Sequence, residues 1–340
     1  MTRPSLGLLT RNAEGPILLE SFLIAAVASF LAIRAFLALT GYPQVGSNGI
    51  HIAHMLWGGL LMVVALMLLL AYLDRPVEHV AAVIAGLGFG TFIDEIGKFV
   101  TSDNNYFFRP AIALIYTVFI AAFLVGRTLL GEQRRLSRTE ALANALYLLA
   151  GTLERPLDTM DRARIQRLLG QADPAAAVTR FANDYLAELP VAATHEGILV
   201  RINRRVAKGY EELMANSWAE SALIAGVVIY AAAALIGVAL VTVSSRADVD
   251  AQTSTFADTA QLVSTIAGAV CIGIGVVSLR ESRIAAYRWF MRGLLVWILI
   301  TQVFVFYSSQ LAGLGGLVID LIAYGSLRLA TTLEASARPE

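Results

Sequence analysis

The sequence predicts an all-α fold: a polytopic membrane helix bundle of about eight spans, carrying a cytoplasmic helical insert. Three observations predict it. Of 340 residues, 57% are hydrophobic and 15% charged, with a mean hydropathy of +0.67, whereas soluble domains run at roughly 45–50% apolar and about 25% charged. The apolar residues gather into runs at 17–40, 51–73, 79–101, 110–130, 219–243, 258–279, 284–307 and 311–333. Each run meets the roughly 20 residues a helix needs to cross a bilayer. The basic residues, finally, collect on alternate connections.

Taken in order, the first run follows Arg3 and Arg11. It is longer than the apolar core of a cleavable signal, which spans about 7–15 residues, and is read as a retained anchor. The third and fourth runs are joined by the short polar stretch from Thr101 to Arg109. Between the fourth and fifth lies a polar segment, which divides the chain into a membrane domain 1–130, an insert 131–217 and a second membrane domain 218–340. Within the insert, residues 140–154 have helical apolar spacing, and Gly170 stops the next helix. Asp173 and Pro174 are read as an N-cap followed by proline at the first helical position, and Pro190 closes that helix. From Thr194 a helix is expected to run toward the fifth span. Arg201, Arg204, Arg205 and Lys208 share one face of it, which suits either solvent or anionic headgroups.

Lysine and arginine number 26, equal to aspartate and glutamate, so no net field points to nucleic acid. Their placement is informative. With the N-terminus cytoplasmic, the outer loops hold only Arg109 and Arg246, while the insert and its boundary hold thirteen basic residues from Arg127 to Lys208. The positive-inside rule then puts both termini and the insert in the cytoplasm. The single cysteine, Cys271, allows no internal disulfide and is read as a packing residue. A nuclear factor, a disulfide scaffold and an ordinary cytosolic enzyme are all disfavoured.

Ionisable side chains in spans are costly and mark sites, and here they concentrate at one depth. Arg34 lies near the outer end of span one, and span two opens with His51 and His54. Span three carries Asp94, Glu95 and Lys98, and the loop beyond adds Asp103, Tyr106 and Arg109. His51 and His54 are spaced i, i+3, and Asp94 and Lys98 i, i+4, so an Asp94–Lys98 pair is expected. Gly86 and Gly90 form a G-x-x-x-G that admits a close neighbouring helix.

This constellation permits several chemistries. It can be a structural network that fixes helix register. It can be a metal site, with His51, His54 and Glu95 suited to zinc or iron, although Lys98 and Arg34 repel a cation. It can be a pocket for a small ligand or lipid headgroup, in which Arg34, His51, Asp94, Lys98, Asp103, Tyr106 and Arg109 bind and Glu95 and His54 move a proton. Proton- or ion-coupled transport is the remaining class. Asp320, isolated in the eighth run, is either hydrogen-bonded within the bundle or a relay carboxylate.

The strings HIAHMLWGG and GFGTFIDEIGKFVTSDNNYFFRP resemble a family of bacterial multipass membrane proteins of unassigned activity, across spans one to four. The resemblance implies a bacterial plasma membrane and no particular reaction. More distantly, a histidine early in one span, an acidic residue late in the next and a polar loop beyond it are similar to VanZ-like membrane proteins. The chain departs from that pattern in having Glu95 followed by Lys98 where a glutamine is usual, and in carrying a second histidine.

Overall fold

A chain in lipid must satisfy its backbone polar groups internally, and helices do so one segment at a time. The computed structural model describes residues 10–41, 53–106, 108–130, 136–153, 156–192, 205, 208–209, 212, 217–247 and 255–336. It is helical almost throughout, with one two-residue strand pair among the described residues. Seven stretches are long and apolar enough to cross a membrane, and their lipid-facing sides expose large apolar residues such as Leu70, Ile229 and Ile322. Soluble monomers rarely expose apolar surface on that scale. The protein is a multi-pass helical membrane protein.

Packing gathers the chain into two compact units, Met1–Tyr106 with Phe119–His195, and Phe107–Val118 with Glu196–Glu340. The first unit contains α1 (Gly15–Thr40), α2 (His54–Ala71), α3 (Arg75–Ile93) and the short α4 (Ile96–Val100). The helix α5 (Ala111–Leu130) passes from one unit to the other. In the first unit α3 is central and packs on both α1 and α2. Glycines make this approach close. A side chain at Gly86 or Gly90 would collide with the Phe22 and Ala26 carbonyls of α1, and one at Gly88 would come within 2.7 Å of the Gly58 carbonyl of α2. The expected G-x-x-x-G contact is therefore the α1–α3 seam. Ser29 and Thr91 add a hydroxyl–hydroxyl bond of 2.9 Å across it.

The third span begins at Arg75, not residue 79, because Pro76 fits the first helical turn. Its helix is interrupted after Ile93 and resumes at Ile96. The insert supplies α6 (Arg138–Ala150), α7 (Thr159–Leu169) and α8 (Ala177–Glu188). Ser137 and Glu140 form a capping box on α6, and Asp158 caps α7. Ala145, Leu149, Ile165, Leu169, Ala182 and Leu186 make the core. Gly170 ends α7 as expected. Asp173 does not cap α8. Its carboxylate accepts from the Ala175 N–H at 3.1 Å, closing a local turn, and the helix starts at Ala177 with Ala176 at the N-cap. Arg205 and Lys208 of the expected basic face are exposed, whereas Arg201 and Arg204 lie outside the described residues.

Three ties hold the insert to the first spans and the segment before them. Arg11 grips Glu140 with two nitrogens, at 2.8 and 2.9 Å, and this holds the Glu140 carboxyl well below the usual range. The buried Glu14 carboxylate accepts from both Arg75 and Arg164, and Arg75 reaches Asp161 at 2.5 Å. Tyr147 of α6 donates to the Leu73 carbonyl and to Glu78, and burial together with the Glu78 charge pushes its phenol up to about 12.

The second unit holds α9 (Ser217–Ala247), α10 (Thr255–Ser278), α11 (Arg283–Val296), α12 (Gln302–Ser309) and α13 (Leu314–Ser336). A π-helical segment, Trp297–Thr301, joins α11 to α12. Its core is built from Val227, Ile272, Tyr287, Phe290, Leu294 and Leu327. The seventh apolar stretch runs 50 residues, Arg283–Thr332, which is far more than one crossing requires. At Gln310, with φ 48°, the chain turns, and α13 packs back along α11. The stretch is thus two antiparallel arms, matching the seventh and eighth expected runs.

Candidate functional site

The site forms in the first unit, where α1, α2 and the broken third span converge. Asp94 follows the last residue of α3, with φ −58° and ψ −30°, and Glu95, at φ −87° and ψ 10°, leaves helical geometry. This break overturns the expected Asp94–Lys98 pair, which needed an unbroken helix. Lys98 instead donates to Glu95 Oε1 at 2.6 Å, three residues back. Asp94 is turned toward the neighbouring helices and is fully buried (0% exposed).

Every oxygen of Asp94 is used. Arg34 donates through Nε to Oδ1 and through Nη2 to the Asp94 carbonyl at 3.1 Å. His54 Nε2 lies 2.9 Å from Oδ2, and the Tyr106 hydroxyl donates to the same oxygen at 2.7 Å. Arg34 also lies over the Tyr106 ring, 4.4 Å from its centre. Arginine suits this place because its planar fork can bond and stack at once. Residues distant in sequence are thereby fixed in one contact, at the common depth the sequence predicted.

Glu95 is equally buried, at 1% exposure, and less satisfied. Its Oε1 receives Lys98 and lies 3.4 Å from His54 Nδ1, whereas Oε2 has no hydrogen-bond partner among the described residues. His54 therefore bridges two carboxylates, one at each ring nitrogen. A neutral imidazole has a single N–H, whereas the imidazolium carries charge toward both, hydrogen-bonded to Asp94 and at ion-pair distance from Glu95. The two acids and the two bases cancel formally, so protonating His54 leaves the cluster with one net positive charge. The side chains of His54 and Lys98 retain 27% and 24% exposure above the buried Arg34, Asp94 and Glu95.

Other expected site residues are placed elsewhere. Asp103 is exposed, and no hydrogen bond or ion pair ties it to the cluster among the described residues. Arg109 is exposed and falls in the second unit. His51 lies outside the described residues. No group of three metal-ligating side chains occurs among the described residues. At His54 and Glu95, the pair available from the expected zinc or iron ligands, the Lys98 ammonium already occupies the shared oxygen. Sequence reading missed Phe30, whose ring faces Arg34 at 5.8 Å, and it missed the Glu14 cluster. An apolar Phe inside a span carries no signal of its own. Glu14 sits at a polar boundary where a charge is unremarkable.

The chain matches no family model, no curated protein and no solved structure.

Proposed function

We propose that the protein is a plasma-membrane protein of bacterial type, with both termini and the insert cytoplasmic, whose cluster in spans one to three binds a small ligand or lipid headgroup at the outer leaflet. The asymmetry of arginine and lysine supports the orientation. One observation carries the binding reading: His54 and Lys98 stay partly exposed over a buried, braced base, and the adjoining Glu95 keeps one carboxylate oxygen without a partner among the described residues. Lys98 and imidazolium His54 suit an anionic group. Glu95 Oε2 suits a hydroxyl or ammonium donor on the same ligand. A phosphate ester bearing a hydroxyl or amine has both. Arg34 and Asp94 act as the brace, and Tyr106 closes it. Any proton transfer at the site falls to His54 and Glu95, the two groups within reach of each other and of the exposed edge.

A proton- or ion-coupled transporter is the second reading. It is favoured by the two buried carboxylates, Glu95 and Asp320, that each keep an oxygen unpartnered among the described residues.

Native mass spectrometry of the full chain, purified with its lipids, tests the first reading. Wild type is expected to retain anionic phospholipid. His54→Gln is expected to weaken that retention about five-fold, as loss of about 1 kcal/mol per basic group near a membrane surface requires. The Glu95→Gln/Lys98→Gln double variant removes both charges of one pair and is expected to weaken it similarly. An unchanged lipid complement in both folded variants would refute the reading. Cysteine labelling that finds the insert outside the cell would refute the orientation.

A further inference from the structure

Asp320 lies in α13 and is 2% exposed. Its Oδ1 has no partner among the described residues, and the polar side chain nearest in influence is the Tyr230 hydroxyl of α9. Among the described residues no cation forms an ion pair with it. On α11, Arg283 and Tyr287 are both bonded to Glu220, Arg292 stacks on Trp289 at 4.5 Å, and Arg288 is exposed. On α13 itself, Arg328 is exposed and Tyr324 half-buried. The π-helical segment and the turn Gln310–Gly313 carry no titratable side chain. From α5, Tyr116 is within electrostatic reach, but its hydroxyl is donated to the Ile298 carbonyl at 2.6 Å.

An ionised carboxylate so placed loses its hydration beside a phenol, which costs several kcal/mol. A neutral carboxylic acid avoids most of that cost. The surroundings are also built to change. Tyr230 stands edge-on to Trp297, which opens the π-helical segment, and such segments recur at functional sites in helices. Gln310 holds a positive φ where the two arms meet, braced by Gln302 donating to the Gly313 carbonyl at 2.8 Å.

The geometry points to Asp320 as an exchangeable proton-binding site within the membrane, separate from the headgroup cluster and independent of it. The reaction is the addition of one proton to the carboxylate. It forms a single O–H bond and breaks none in the protein. In the present packing Asp320 holds the proton. Loosening of α13 against α9 and the π-helical segment admits water and releases it.

Infrared spectroscopy of the full chain in lipid vesicles, titrated with pH, reads this directly. Wild type is expected to show a protonated-carboxyl band at neutral pH that is missing from Asp320→Asn and displaced in Asp320→Glu. The band is expected to vanish reversibly at alkaline pH while helicity is retained. Should Asp320→Asn fail to fold, the displacement in Asp320→Glu assigns the band. If neither variant alters the spectrum, Asp320 is ionised and the proposal falls. If the band persists until the helices melt, Asp320 is a permanently neutral packing residue, and the proposal falls equally.

Discussion

The first unit carries a buried carboxylate gripped by arginine at each end of its helices, and the two ends differ in what surrounds that grip. At one end Glu14 is held by Arg75 and Arg164, with Asp161 completing the chain of charges. Those cations are all guanidinium, which does not titrate in the physiological range. At the other end Asp94 is held by Arg34, but its neighbours are a histidine, a lysine, a tyrosine and a second carboxylate with an oxygen unpartnered among the described residues. The first arrangement fastens the insert to the spans. The second has the groups that can gain or lose a proton and meet a ligand. A buried ion pair alone is a poor indicator of function; the composition of its surroundings separates a clamp from a site.

The largest effect expected from breaking this comparison is at the grip itself. Arg34→Ala leaves Asp94 buried without its cation and should cost about 3–5 kcal/mol, seen as a lower unfolding midpoint by circular dichroism. Glu14→Ala, which strands two arginines, should lower the midpoint on the same scale. A much smaller loss at Asp94 than at Glu14 would mean that the two grips are not equivalent braces. Next comes the seam that places the site. Gly90→Leu forces a side chain against the Ala26 carbonyl and should cost about 1–3 kcal/mol, with loss of whatever ligand the cluster holds.

A smaller effect sharpens the contrast. His54→Gln retains a hydrogen-bonding side chain and should change stability by about 1 kcal/mol or less, while ligand retention falls. The smallest effect is a pH dependence at the insert. The Glu140 carboxyl is held below its usual range by Arg11, so its contribution is fully present above the ordinary carboxylate pKa and is lost as pH falls through the depressed one. The pair is partly solvent-screened, so about 1 kcal/mol is expected. Acid titration below about pH 4 should therefore destabilise wild type more than Glu140→Gln.

Much of this was legible in the sequence. Apolar runs specify spans because lipid leaves the backbone no alternative, and Arg34, Asp94 and Lys98 stand out because a charge in such a run is expensive. The break at Asp94 and Glu95 was not legible. No proline or glycine sits at those two positions, and the interruption depends on Arg34 and His54 drawing Asp94 toward α1 and α2. That tertiary pull exchanged the expected Asp94–Lys98 pair for Glu95–Lys98. Glu14 was hidden for a different reason: Arg164 lies far along the chain in the insert, and spacing rules reach only one or two helical turns.

The proposed contrast between the two ends is that only the Asp94 end binds a ligand. It is tested most directly by the shift in unfolding midpoint when anionic phospholipid is added to the full chain in neutral detergent, since a ligand stabilises only the state that binds it. A clear upward shift is expected for wild type and for Asp161→Asn, which removes one charge at the Glu14 end, and its loss in the His54→Gln/Glu95→Gln/Lys98→Gln variant. An equal shift in all three proteins would contradict it.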